Sequence, residues 1–337
     1  MQGQVFKIHS DFLYVDTDKG IFECKLREIL KKQKQSILVG DFVLLEQTNT
    51  DSMQAVISKL IKRKNHIPKP KAANISQAII VTAIKEPEID FEQLNRYLAH
   101  CEFHNVDPIL CFNKSDLDED KKIAKEILQI YENLKYKIVF TSARKNTGLD
   151  ILQKILEKNT SIFCGSSGAG KSSIINSLLG NTDIKTKKVS LKTKRGVHTT
   201  RHCEIIKISE GSAVVDTPGF SNLKFNFLLP QNIQDLFADI KYYSEGCKYN
   251  NCLHIHEAEC NVLNNIDKIA KSRYESYIRF VAEAKEYKKQ VTYSGTKIET
   301  KIKTNQNKTM TKISSKKRNT SRKTNRQVTE KTINEAI

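Results

Sequence analysis

Nine residues, Gly165-Ser166-Ser167-Gly168-Ala169-Gly170-Lys171-Ser172-Ser173, separate the apolar run IFC (162–164) from the helix-like stretch IINSLL. Their G-x-x-x-x-G-K-S spacing suits phosphate chemistry. The glycines let successive backbone N–H groups converge on phosphate oxygens, Lys171 reaches the β and γ phosphates, and Ser172 offers a hydroxyl to Mg²⁺. A Gly/Ser turn of chance composition would not need a strand before it and a helix after it. Alone, the loop specifies a nucleoside triphosphate and no base.

Base identity is read from Asn113-Lys114-Ser115-Asp116, which follows ILCF. The Asp116 carboxylate can accept from the N1–H and exocyclic amine of guanine, a pair adenine lacks, while Lys114 lies along the base and Asn113 braces the loops. An ordinary polar turn at a strand end is the bland alternative. Thr141-Ser142-Ala143, after IVF, stands where guanine-nucleotide proteins bring a backbone N–H to the base oxygen. Asp216-Thr217-Pro218-Gly219 follows AVV; Asp216 can hold Mg²⁺ through water and Gly219 can turn its N–H to the γ phosphate. Between these lies Arg195-Gly196-Val197-His198-Thr199-Thr200, in which Thr200 is favoured over Thr199 as a second Mg²⁺ ligand beside Ser172. Taken together, the motifs predict GTP and GDP as ligands, with Mg²⁺.

The order of the motifs is unusual. N-K-S-D and S-A precede the phosphate loop, whereas ordinary GTPases begin with that loop, so the chain reads as a circular permutation that keeps the site and moves the termini. Phe220 follows Gly219, where many GTPases carry the Gln that orients water, so intrinsic hydrolysis should be slow. His198 can position water in its place; a solvated loop histidine is the alternative.

A second constellation is Cys247, Cys252, His254 and Cys260, spaced C-x4-C-x-H-x5-C. Three thiolates and an imidazole form a closed tetrahedral set, which predicts one structural Zn²⁺ with no open catalytic position. A redox pair between Cys247 and Cys252 is disfavoured by their spacing, and His256 competes with His254 for the fourth place. The other five of the eight cysteines lie singly in or beside apolar stretches, as reduced thiols do.

These groups need elements to hold them. Residues 1–65 read as short strands, FLYV, IFECKL, FVLLE and QAVISKL, which pack as a small closed β-barrel; the OB type has this size and strand count, as do other small barrels. Lys62–Asn74, basic and with two prolines, reads as a linker. From there apolar runs at 78–84, 109–112, 138–140, 162–164, 204–208 and 213–216 alternate with amphipathic stretches such as Ile123, Ile127, Ile130 and Leu134. That alternation predicts buried parallel strands with crossover helices and ligands at one strand edge. After about residue 225 strands cease, and Tyr274, Tyr277, Ile278, Val281 and Ala284 share one side of a helix. The expected divisions are a barrel over 1–66, a nucleotide domain over 67–225, a helical zinc domain over 226–290 and a basic disordered tail over 291–337.

The 337 residues carry a net charge of +18, which points to a polyanionic partner. Residues 288–337 hold 14 Lys/Arg against 3 acids, which leaves only +7 on residues 1–287. No run approaches the roughly 20 apolar residues of a membrane span, and the N-terminus has neither a basic nor an apolar leader region, so a cytoplasmic protein without membrane contact is expected.

Motif order and the Cys/His spacing together resemble the family of ribosome small-subunit-dependent GTPase A (RsgA), over roughly residues 1–290. The resemblance implies an OB-type barrel, a circularly permuted α/β P-loop GTPase core and a C-terminal helical zinc-binding domain. It further implies a monomer that binds the small ribosomal subunit and its rRNA late in maturation and hydrolyses GTP when stimulated by it. The family's G-x-H-T-T-T is met at 196–200 except that Arg201 replaces the last Thr, and the family also has a hydrophobic residue where Phe220 stands. Two rivals share part of the pattern: a factor that uses GTP only as a structural ligand, and an ATP-dependent P-loop kinase or transport ATPase.

Overall fold

A computed structural model of the chain describes residues 1–32, 36–68, 71–180, 204–209, 211–216, 223–225, 228–293, 301–305 and 308–312. It falls into two compact units, Met1–Asn222 and Leu223–Ile337.

The first unit opens with strands β1 (Gln2–His9), β2 (Phe12–Thr17) and β3 (Gly20–Leu26), a short helix α1 (Glu28–Lys32), and strands β4 (Phe42–Asn49) and β5 (Gln54–Leu60). Every second residue points inward, so Val5, Leu13, Val15, Phe22, Cys24, Val43, Leu45, Ala55 and Ile57 form one core. The pairing order β1-β2-β3-β5-β4 closes on itself through β1 and β4, with Gln2 opposite Leu44. β3 and β5 run parallel. This is the OB-type barrel. The four expected strands are present, and β1, which was not expected, provides the closure. β1 also pairs with a strand of the next domain at Lys7↔Glu204.

The stretch expected as a linker is built into the fold. His66–Pro68 (β6) pairs antiparallel with Lys71–Ala73 (β7), and Ile67, Ala72 and Ala73 are buried. The reason is Asp41. Its buried carboxylate accepts from the Leu38 N–H at 2.7 Å and needs a cation, which Arg63 supplies bidentately at 2.6 and 2.7 Å. A buried charge so paired ties the segment leaving the barrel to the turn before β4.

The α/β core comprises β8 (Gln77–Ala83), α2 (Phe91–Phe103), β9 (Asp107–Asn113), α3 (Lys122–Tyr131), β10 (Lys137–Phe140), α4 (Leu149–Leu156), β11 (Thr160–Cys164), α5 (Lys171–Gly180), β12 (Glu204–Ser209) and β13 (Ser212–Asp216). The sheet order β10-β9-β8-β11-β13 is parallel, with β12 antiparallel beside β13. All seven residues of β8 are buried, as expected of a central parallel strand covered on both faces. Asp90 caps α2 by accepting from the Gln93 N–H at 2.9 Å.

The second unit contains α6 (Ala238–Ser244), α7 (Asn261–Asn264) and α8 (Lys271–Tyr293). Tyr277, Val281 and Ala284 of the expected stripe are buried, joined by Phe280 and by Arg273. Arg273 donates to both oxygens of Asp239 at 2.6 and 2.8 Å and lies 5.0 Å from the Phe237 ring. Removing one partner of such a buried pair costs about 3–5 kcal/mol, because the other charge stays buried. In the tail expected to lack structure, Lys301–Asn305 (β14) pairs antiparallel with Lys308–Lys312 (β15).

α2 and its C-cap each bury a histidine, His100 and His104. Burial pushes His100 down to about 3, helped by nearby His104 and Arg96, and pushes His104 down to about 4, with His66 adding to the effect. Both rings are neutral in the fold but titrate near pH 6.5 once unfolded. Between these values the unfolded chain binds more protons, so stability is lost as pH falls from about 6.5 towards 4. Thermal midpoints at neutral pH and at about pH 5 should show this loss, and His100→Gln should lose less; an equal loss would place the acid sensitivity elsewhere.

Candidate guanine-nucleotide site and metal centre

The ends of β8, β9, β10 and β11 meet at one sheet edge, and Asn113 joins the loops that leave this edge. Buried at the end of β9, its Nδ2 donates to the Ala169 carbonyl of the phosphate loop at 2.9 Å. Its Oδ1 accepts from the Thr141 hydroxyl at 3.3 Å and the Ala143 N–H at 3.2 Å. One carboxamide therefore holds the phosphate loop and the loop at 141–143 in a single arrangement.

Asp116 sits on the 3₁₀ turn Ser115–Leu117, and Ser142, buried, donates its hydroxyl to Oδ1 at 2.5 Å. That hydrogen bond, with Lys145 and Arg144 nearby, holds the carboxyl below the usual range despite the opposing effect of burial. The group stays an acceptor, as guanine recognition requires. The Ser115 N–H donates to the Thr141 carbonyl at 3.0 Å, so the two base-reading loops are also stitched through backbone.

The phosphate loop runs from β11 into α5. Gly165 and Gly170 both adopt positive φ, +138° and +92°, and a Cβ on either would lie 2.0 Å from the Val81 carbonyl oxygen or 2.2 Å from Asn113 Nδ2. Only glycine fits at both. Lys171 folds back over the loop, donating to the carbonyls of Gly165 and Ser166, each at 2.8 Å. Burial lowers its pKa, a cost that phosphate oxygens in the same cradle would offset. Ser166, Ser167, Gly168, Ser172 and Ser173 complete the loop, with Ser172 exposed at the start of α5. Asp216 ends β13. Gly219, Phe220, His198, Thr199, Thr200 and Arg201 lie outside the described residues.

In the second unit Cys247, Cys252, His254 and Cys260 bring their ligand atoms within 4.8 Å of one another. Cys247 and Cys260 sulfurs are 3.8 Å apart, and His254 Nδ1 lies 3.5 and 3.4 Å from them. A tetrahedral zinc ion requires roughly 3.8 Å between sulfurs and roughly 3.5 Å between sulfur and nitrogen, so the donor set fits. His256 is exposed and outside the cluster, which decides the choice in favour of His254. Gln234, for which the sequence carried no signal, accepts from His254 Nε2–H at 2.7 Å and leaves Nδ1 free to ligate. Glu257 holds the turn: burial opposes its ionisation, but backbone N–H groups including those of Ile255, Leu253 and His256 outweigh that and bring it down to about 2. Tyr274 and Tyr277 on α8 donate to the His254 and Leu253 carbonyls at 2.7 and 3.0 Å.

If Asp116 reads guanine, Asp116→Asn should weaken GDP binding on the order of 100-fold by removing a charge-assisted acceptor. Competition against a fluorescent GDP measures this, and an unchanged affinity would mean the base is read elsewhere.

The profile described as RsgA GTPase matches residues 57–226, that described as the RsgA N-terminal domain residues 2–57, and one described as 50S ribosome-binding GTPase residues 160–297. The Small ribosomal subunit biogenesis GTPase RsgA of Clostridium novyi is 39% identical over 285 residues, 84% of this chain and 97% of that protein. Its counterpart in Alkaliphilus metalliredigens is 36% identical over 286 residues, 84% and 98% of the two chains. Among solved structures, YjeQ from Thermotoga maritima gives a TM-score of 0.72 at 31% identity, covering 84% of this chain and 98% of that one. YloQ, described as a circularly permuted GTPase, gives 0.71 at 29%, covering 85% and 95%. An OB-type barrel, a base-reading turn that precedes the phosphate loop on one sheet edge, and similarity over nearly the whole length of these relatives agree: the chain belongs to the RsgA GTPase family.

Proposed function

We propose that this protein is a GTPase that binds the small ribosomal subunit late in its maturation, hydrolyses GTP when stimulated by it, and is released as GDP forms. The observation that carries the GTPase part is the Asn113 junction, where one buried carboxamide binds the phosphate loop to the guanine-reading loops. The ribosomal part rests on the names of the relatives that match over nearly their full length. The small subunit is favoured over the large one because the names of these relatives specify it.

In this reading Lys171 and the loop N–H groups hold the phosphates, and Asn113, Lys114, Asp116, Ser142 and Ala143 hold the base. Mg²⁺, held by Ser172 and Thr200, would neutralise charge on the β and γ phosphates. Water attacks the γ phosphorus, the bond to the β–γ bridging oxygen breaks with its electron pair left on GDP, and the water's oxygen and both its protons leave with inorganic phosphate. His198 would orient that water, since Phe220 cannot. GTP orders the segments around Thr200 and Asp216, and its hydrolysis releases them. The Cys247, Cys252, His254 and Cys260 cluster holds one structural Zn²⁺. Among the described residues no helix is long and apolar enough to cross a membrane.

Residues 291–337 serve as a basic arm that adds sequence-independent rRNA affinity through phosphate contacts. Phe220 favours a second reading, a factor that binds GTP without turning it over. Steady-state GTP turnover with and without purified small subunits separates the two. Stimulation is expected with small and not large subunits, and its absence removes the enzyme reading. Removing residues 291–337 should weaken RNA binding and flatten its salt dependence while basal turnover persists; an unchanged salt slope would leave the arm without that role. For the metal, elemental analysis should find one zinc per chain and its loss in Cys252→Ser; another metal, or none, would overturn the assignment.

A further inference from the structure

The turn between β8 and α2 contains none of the nucleotide motifs, yet it reaches both. The Ile84 N–H donates to the Asn113 carbonyl at 2.9 Å. Lys85 Nζ donates to the Leu117 carbonyl at 2.8 Å, closing the 3₁₀ turn that carries Asp116. The Glu86 carbonyl accepts from Lys114 Nζ. Pro87 lies against the phosphate loop, its Cδ 3.5 Å from where a Cβ on Gly168 would stand. Glu86 itself is exposed, so its backbone oxygen is what the site uses.

That oxygen faces Lys114, and Glu86 stands in the left-handed region at φ +53°, as Lys114 does at +59°. Residues other than glycine adopt this conformation rarely, and when they do it is often where function requires it. Lys114 is a long, flexible cation with many rotamers open to it when free. Fixing its ammonium in advance leaves the aliphatic stem where a purine face can lie along it, and reduces what binding must order.

We infer that the Lys85–Pro87 turn is a positioning strap for the guanine base. It holds Lys114 through the Glu86 carbonyl and the Asp116 turn through Lys85, and thereby sets how long the nucleotide stays bound. The inference rests on the guanine-nucleotide reading of the site. Lys85 and Glu86 act through other residues and are positioning residues, not catalytic ones.

The direction of the Glu86 carbonyl depends on its backbone, which gives a test that leaves every motif residue in place. Glycine is at ease at φ +53°, whereas a β-branched residue is driven out of that region and takes the carbonyl with it. In the full-length chain, release of a fluorescent GDP followed by stopped flow should be at least about fivefold faster in Glu86→Val than in Glu86→Gly. Association rates of the two variants should match, while the Val variant should have a somewhat lower thermal midpoint because a β-branched residue is strained at positive φ. Lys85→Met should also release GDP several-fold faster, and it decides the matter if Glu86→Val does not fold. Inosine diphosphate, which lacks the exocyclic amine, should be released faster by the same factor in Glu86→Val, because Lys114 lies along the ring and not at the amine. Equal release from the Val and Gly variants, or unchanged release in Lys85→Met, would overturn the strap. Failure of the native chain to hold GDP at all would instead overturn the guanine-nucleotide reading on which it stands.

Discussion

The nucleotide site depends on a buried amide that must be fully hydrogen-bonded. An Asn side chain with no access to water has to find partners for its N–H groups and its oxygen, and the partners of Asn113 come from loops far apart in sequence, at 141–143 and 169. Satisfying it therefore draws the loops after β9, β10 and β11 to one point. This arrangement fixes the relative position of the loops that carry Asp116 and Ser142. The same logic explains why a circular permutation is tolerated: the amide joins strand ends in space, and the order in which the chain visits them does not enter.

The Cys/His unit is organised differently. Two short helices and the 23-residue α8 surround a modest aromatic core of Phe225, Phe237, Tyr277 and Phe280. A small unit of this kind buries too little apolar surface to hold a loop such as 247–260 in place by packing alone. The loop is instead pinned by the Glu257 carboxylate on three backbone N–H groups, by two tyrosine hydroxyls, and by a donor set whose spacing fits a tetrahedral ion. The buried Arg273–Asp239 pair ties the start of α8 to α6.

Much of this fold is legible from residues alone, for physical reasons that differ from case to case. The core strands are legible because buried parallel strands are apolar without interruption, as in AIIVTAI and ILCF. The phosphate loop and the cysteine set are legible because their chemistry demands particular residues at particular spacings. The features that residues alone do not reveal depend on partners distant in sequence. β1 has a weak pattern, and its pairing with β4 is what closes the barrel. Lys62–Asn74 has the composition of a linker, but its Arg63 answers a buried Asp41 twenty-two positions away. Gln234 looks like any surface amide until His254 Nε2 is placed against it.

The sequence by itself determined the chemistry: which residues can cradle phosphate, read guanine or ligate a metal, in what chain order, and on which kind of element. These are properties of residue type and local spacing, fixed before any long-range contact forms. Only the tertiary structure decided which imidazole joins the cysteines, how one carboxamide unites three loops, and that the turn after β8 straps Lys114 and the Asp116 turn. Those outcomes depend on the positions of backbone carbonyls and N–H groups. Every residue carries the same backbone groups, so composition cannot reveal which of them meet.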